Sequence, residues 1–242
     1  MIEKIIDIKT DAGACPTFTV APGDGAYPPV IIYMDAPGIR EELYDFARRI
    51  AGEGYFVLLP DMYYRLGTKR FDMSKGDPEF ARMFEAMSSL TNALVIEDTK
   101  GLLAFLKSYP SAKAGPRGCI GYCMSGQYIV SVAGAFPNDF AATASLYGVG
   151  IVTDKPDSPH LLAPKIKGEL YLGFAEKDKW VPDNVIPDLK AALDKNGVTY
   201  KLDIWPGTDH GFCFPQRPAY VKEAAESVWK IVFDMYKRRL KP

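Results

Sequence analysis

Val30-Ile31-Ile32-Tyr33-Met34 and Tyr55-Phe56-Val57-Leu58-Leu59 are apolar at every position, and they restrict the fold of this 242-residue chain more than any other feature. A strand without polar alternation has no face to offer water, so it belongs inside a sheet covered on both sides. Between the two runs, Leu43, Phe46, Ala47 and Ile50 recur at helical spacing over residues 40–51, and Gly52 and Gly54 stop the pattern. Residues 3–9 and 16–20 alternate instead, about a turn at Asp11-Ala12-Gly13, and read as a β-hairpin at a sheet edge. Further helices are expected from Asp77-Pro78, from Thr91 through Leu106, over 183–195 and over 220–239. Further strands are expected just before Cys123 and over 141–146, 169–174 and 198–205. Segments 62–76 and 149–167 are too long for tight connections; the first reads as a lid or a site wall. The pattern predicts the α/β class, with a mostly parallel central sheet, helices on both faces and a single domain over 1–242.

Composition narrows the partners. Apolar residues make up 48% of the chain and charged residues 24%, and the formal net charge is -1. No basic face or tail stands out, so neither nucleic acid nor anionic membrane is an expected partner. The apolar runs fall short of a membrane span, and Met1-Ile2-Glu3-Lys4-Ile5-Ile6 reads as the start of a strand instead of a signal segment. Cys15, Cys119, Cys123 and Cys213 have neither zinc nor CxxC spacing, so no metal site and no disulfide framework is expected. A reduced, cytoplasmic protein is the expectation.

In mostly parallel sheets, chemistry gathers at the carboxyl ends of strands. Asp35, Cys123, Tyr147, Asp178 and His210 each follow an expected strand. Around Cys123, the run Gly121-Tyr122-Cys123-Met124-Ser125-Gly126 joins strand to helix through small residues on both sides of a thiol. That is the layout of a nucleophile elbow, whose strained turn lifts the reacting side chain above the sheet. Two residues after the thiol, Ser125 stands where a glycine is usual, and Gly126 follows. The helix N-terminus would favour a thiolate at Cys123, which makes it the expected nucleophile. Cys15, Cys119 and Cys213 read as small buried hydrophobes.

His210 is one of two histidines, and it comes last in the chain order Cys, Asp, His that elbow enzymes use. His160, in Ser158-Pro159-His160, reads as a loop or pocket-wall residue. Asp178 is the expected acceptor of the His210 Nδ1 proton, fixing the tautomer and steadying the imidazolium. The alternatives are that Asp178 is a solvated carboxylate between Lys177 and Lys179, or that Glu176 takes its place. Two backbone N–H groups, of Met124 and Ala36, are the expected oxyanion donors, since Pro37 has none to give.

With these residues in place, the chain resembles the dienelactone hydrolase family of α/β-hydrolases over nearly its whole length. Gly121 to Gly126 follows the family's Gly-x-Cys-x-Gly-Gly elbow except at Ser125. Asp178-Lys179-Trp180-Val181-Pro182 and His210-Gly211-Phe212 match its acid and base motifs, and Pro60-Asp61-Met62-Tyr63 and Leu146-Tyr147-Gly148 fit as well. The resemblance implies an α/β-hydrolase fold and cleavage of cyclic enol-lactones or small activated esters through a thioester, with no metal or cofactor. It also implies a thiol-modulating carboxylate after the first central strand, where the family's Glu is replaced by the shorter Asp35. Arginines that bind a substrate carboxylate are implied too, with Arg82 a candidate and Arg217 lying beyond Cys213-Phe214. Tyr147, Trp180 and Phe212 join Arg82 as expected substrate-binding residues, while Tyr63, Tyr64, Phe71 and Phe84 either wall the pocket or pack. These departures point away from the chlorocatechol-derived dienelactone as substrate. An acyltransferase with the same triad and a non-catalytic small-molecule binder with the same pocket are the other readings. A monomer or weak homo-oligomer is expected.

Overall fold

An antiparallel hairpin stands at one edge: β1 (Ile2–Thr10) and β2 (Gly13–Ala21) pair from Ile2↔Ala21 to Thr10↔Gly13. The two apolar runs form β3 (Pro29–Tyr33) and β4 (Phe56–Pro60), and every residue of both is buried. β4 pairs antiparallel with β2 and parallel with β3. Between them, α1 (Glu41–Gly52) buries Leu43, Phe46, Ala47 and Ile50, the positions the spacing picked out. Each large side chain so covered contributes roughly 1.5–3 kcal/mol. α2 (Asp77–Ser88) follows, and then α3 (Asn92–Leu106), whose N-terminus is capped by Thr91 Oγ1 accepting from the Leu94 N–H at 3.2 Å. The structure describes residues 1–241 of this computed structural model. All the elements so far belong to the first of two compact units, Met1–Ala114 and Gly115–Pro242.

Within the first unit, the 62–76 segment is less of an open excursion than its length suggests. It contains two 3-10 turns, Tyr64–Leu66 and Met73–Lys75. Arg65 makes a two-pronged ion pair with Asp98 of α3, both contacts at 2.7 Å, and the Tyr64 hydroxyl donates to the same carboxylate at 2.7 Å. A bidentate guanidinium–carboxylate pair is among the more directional contacts a protein makes. It ties the first turn to α3.

The second unit is built on four parallel strands, paired in chain order: β5 (Arg117–Tyr122), β6 (Phe140–Leu146), β7 (Glu169–Lys177) and β8 (Tyr200–Asp209). α4 (Gly126–Ala135), α5 (Val185–Lys195) and α6 (Lys222–Leu240) complete it. Val130 and Ala133 of α4, Leu170, Leu172 and Phe174 of β7, and Leu189 and Leu193 of α5 share one apolar cluster. α6 buries Val228, Trp229, Val232 and Tyr236, and the Tyr236 hydroxyl donates to the Cys119 carbonyl at 2.9 Å. The 149–167 loop is partly ordered as a 3-10 segment, Pro159–Lys165.

β7 and β8 outrun the expected strands, which stopped at residues 174 and 205. Pro206-Gly207 reads as a terminator, yet pairing resumes beyond it because a register shift between Ala175 and Lys177 absorbs the irregularity. Glu176 Oε2 accepts from the Gly207 N–H at 2.8 Å and closes the gap. The last rung is Lys177↔Asp209, so the next residue of each strand is Asp178 or His210.

Candidate active site

Cys123 has φ 55, in the left-handed region that few side chains enter. A 3-10 turn, Cys123–Ser125, then leads into α4. The elbow fits because its neighbours are small at the points of closest approach. A Cβ at Gly121 would lie 2.7 Å from Ile129 Cγ1, and one at Gly126 would lie 2.1 Å from Gly148 Cα. Close packing therefore falls on the third residue after the thiol. Ser125, the departure from the usual pattern, is accommodated in full burial. The Val149 N–H donates to the Cys123 carbonyl at 3.0 Å, bracing the turn from the end of β6.

Asp178 and His210 meet. Asp178 Oδ2 lies 2.7 Å from His210 Nδ1, and Asp178 Oδ1 accepts from the Trp180 N–H at 3.0 Å. Side-chain exposure is 13% for His210 and 4% for Asp178, so the pair is screened only weakly by water. An ionised carboxylate only accepts, so Nδ1 carries the proton of this contact and Nε2 faces away from Asp178. Nε2 is buried without a well-aligned hydrogen bond, yet Cys123 is close enough to act on the ring. Burial disfavours the imidazolium, but the Asp178 hydrogen bond, the nearby Cys123 sulfur and the negative charge of both outweigh it, raising the His210 pKa to about 9.

That shift has a thermodynamic consequence. A histidine whose folded pKa stands above the ordinary 6.5 stabilises the fold fully below pH 6.5, and the contribution is lost as pH rises through about 9. The expected size is roughly 3 kcal/mol. Urea unfolding at pH 6 and at pH 9.5 should show this loss in the wild type, and His210→Asn should lack it.

Cys15, Cys119 and Cys213 are 1%, 0% and 1% exposed, whereas Cys123 is partly exposed. Burial pushes the Cys15 thiol up to about 12 and those of Cys119 and Cys213 well above the usual range. As expected, they are packing residues. His160 is bonded to Ser158 Oγ at 2.8 Å. Glu176 is taken up by Gly207, and it is Asp178 that reaches the imidazole.

The second unit thus brings together Cys123, Asp178 and His210, with Met124 next to the thiol. Of the expected substrate-binding residues there, Tyr147 and Phe212 are fully buried while Trp180 is 48% exposed beneath the Lys179 ammonium. Arg217 lies over the Phe214 ring at 4.4 Å, and a Cβ on Gly211 would fall 2.7 Å from its Nη1. The Arg217 guanidinium therefore lies against Gly211, six positions earlier in sequence. Folding back of the chain at 211–217 closes that gap, and spacing alone does not reveal it.

The remaining candidates lie in the first unit. Asp35 is fully buried and clamped by Arg40, whose Nη1 and Nη2 reach its two oxygens at 2.5 and 3.1 Å. Arg40 also pairs with Glu42 at 3.0 Å. Ala36 is buried, and its carbonyl accepts from the Tyr63 hydroxyl at 2.8 Å. Arg82 pairs with Glu79 on the same helix and lies 5.8 Å from the centre of the Phe71 ring. Among the described residues no group of three His, Cys, Asp or Glu side chains is placed to hold a metal ion. No helix among them is long and apolar enough to cross a membrane.

A thiol at a strained strand-to-helix turn, with a carboxylate and an imidazole on the next residues of two parallel strands, fits the α/β-hydrolase fold. Comparison with known proteins is more specific. The model of the Dienelactone hydrolase family matches residues 16–240, and the chain belongs to that family of hydrolases. A Synechocystis relative named "Putative carboxymethylenebutenolidase" is 32% identical over 222 residues, covering 90% of this chain and 88% of its own. Among solved structures, the "Putative Dienelactone Hydrolase" of Klebsiella pneumoniae superposes with a TM-score of 0.84 at 24% identity, over 97% of this chain and 99% of that one. A dienelactone hydrolase-like promiscuous phosphotriesterase from metagenomic libraries gives a TM-score of 0.80 at 17% identity, covering 98% of each chain. The shared shape is an α/β fold with a mostly parallel sheet, as the strand pattern predicts.

Proposed function

We propose that this hydrolase opens a lactone or small activated ester with a Cys123–His210–Asp178 triad, through a thioester. The 2.7 Å contact between Asp178 and His210 carries this reading, because it leaves Nε2 to serve the one reactive position the elbow offers. The family name and the carboxymethylenebutenolidase relative favour an enol-lactone substrate.

In this mechanism the Cys123 sulfur, as thiolate beside the imidazolium, attacks the carbonyl carbon. The Met124 N–H faces the oxyanion that forms. The tetrahedral adduct collapses, the C–O bond of the leaving group breaks, and His210 gives its Nε2 proton to the departing enolate or alkoxide. Neutral His210 then takes a proton from water, hydroxide adds to the thioester, and the acid is released as the thiolate returns. Arg217, against Gly211, supplies a cation for a substrate carboxylate.

Alkylation tests the nucleophile. Iodoacetamide should label Cys123 first, with loss of esterase activity in step with its labelling, while Cys15, Cys119 and Cys213 react slowly. Loss of activity without Cys123 labelling would sink the proposal. A panel of cis- and trans-dienelactone against simple aryl esters then ranks the substrates.

A further inference from the structure

The segment after β6 touches both partners of the reaction, and no step of the mechanism above uses it. Tyr147 has φ 38, an unusual backbone state for an aromatic residue, and its N–H donates to the Gly173 carbonyl at 2.6 Å. Its ring is fully buried and meets the His210 ring edge-on, centroids 5.1 Å apart at 66°. It also packs on Phe212 at 5.4 Å and on Tyr122, the residue before the nucleophile, at 6.2 Å. One residue on, a Cβ at Gly148 would lie 2.3 Å from Ser145 Oγ and 2.7 Å from Gly126 Cα. One further, the Val149 N–H holds the Cys123 carbonyl at 3.0 Å.

We propose that the Tyr147-Gly148-Val149 corner is the gauge that sets the separation of thiol and imidazole. Tyr147 is its positioning residue, acting through the face of the ring stack and not through substrate. Asp178 fixes the rotation of the His210 ring about Nδ1, but one hydrogen bond leaves the ring free to tilt. The Tyr147 ring blocks that tilt on one side, while the same three residues hold the elbow backbone through Val149. Both reacting atoms are thereby referred to one short stretch of chain. Backbone strain of this kind persists where surrounding packing over-determines it. This inference rests on the triad reading above.

The test compares Tyr147→Leu, Tyr147→Asn and Tyr147→Phe with Cys123→Ala. Asparagine tolerates the left-handed backbone, so Tyr147→Asn removes the ring without adding strain. Loss of the ring should lower kcat on the order of 10- to 100-fold with KM within about twofold, since the reacting atoms are misplaced and not unbound. It should also move the pH profile of Cys123 alkylation, which a purely structural role would leave in place. Tyr147→Phe keeps the edge-on contact and should restore kcat to within about threefold and the wild-type profile. Wild-type kcat and profile in folded Tyr147→Leu or Tyr147→Asn would overturn the inference. So would a tenfold loss in Tyr147→Phe, which decides the matter if both other variants fail to fold. Activity surviving in Cys123→Ala would instead remove the triad reading itself, so the two failures are distinguishable.

Discussion

Cys123→Ala should lower p-nitrophenyl acetate turnover on the order of 10^5- to 10^6-fold, the scale seen when a covalent nucleophile is deleted from a triad enzyme. Alanine fits the elbow as cysteine does, because the φ of 55 is a property of the turn and both residues carry the same Cβ. The variant should therefore fold, and the loss should lie in kcat. A second effect follows from the electrostatics. Cys123 helps hold the His210 proton through its proximity and charge, so deleting the sulfur should bring the imidazole pKa down from about 9. A histidine-selective NMR titration reads this directly. An unchanged His210 titration together with retained esterase activity would mean that sulfur and imidazole do not act on one another.

Asp178→Asn should cost about 10^3- to 10^4-fold in kcat with little change in fold. The acid uses both oxygens, one accepting from the Trp180 N–H at 3.0 Å and the other facing His210 Nδ1 at 2.7 Å. Asparagine has one oxygen. If it serves Trp180, the amide N–H₂ confronts Nδ1, which must then lose its proton and send the surviving one to Nε2. The imidazole would then present an N–H to the thiol where a base is needed. If it serves Nδ1, the Trp180 N–H is left without its acceptor. Steady-state kinetics on Asp178→Asn and Glu176→Gln settle the assignment. A larger loss in the glutamine variant would move the role of acid to Glu176.

Much of this site is legible in the chain because parallel strands announce themselves twice. β3 and β4 are wholly apolar, and the residues after their kind are where side chains escape the sheet. Cys123 could be singled out since small neighbours are what a tight turn requires, and Asp178 and His210 because each follows a strand in the right order. The finer matter was not legible. Pro206-Gly207 hides the last rung of β8, since local propensity signals a stop that pairing with β7 overrides. The partner of Asp35 was hidden too: Arg40 is five residues away, and only the backbone turn after β3 brings its guanidinium round. Tyr147 is marked by its place after a strand and by the Leu146-Tyr147-Gly148 match, as a residue for substrate, whereas its contact with the imidazole depends on two strand ends being neighbours, which no local pattern encodes.

The rung Lys177↔Asp209 also bears on how such a protein can diversify. A one-residue insertion upstream in either strand would turn Asp178 or His210 to the opposite side of the sheet and part the two side chains. Past the Trp180 N–H and the buried Phe212-Cys213-Phe214 run the constraint lifts, and residues 182–184 and 215–220 can drift in sequence without disturbing the pair. New substrate preferences should accumulate there, and the strands themselves should stay frozen in length.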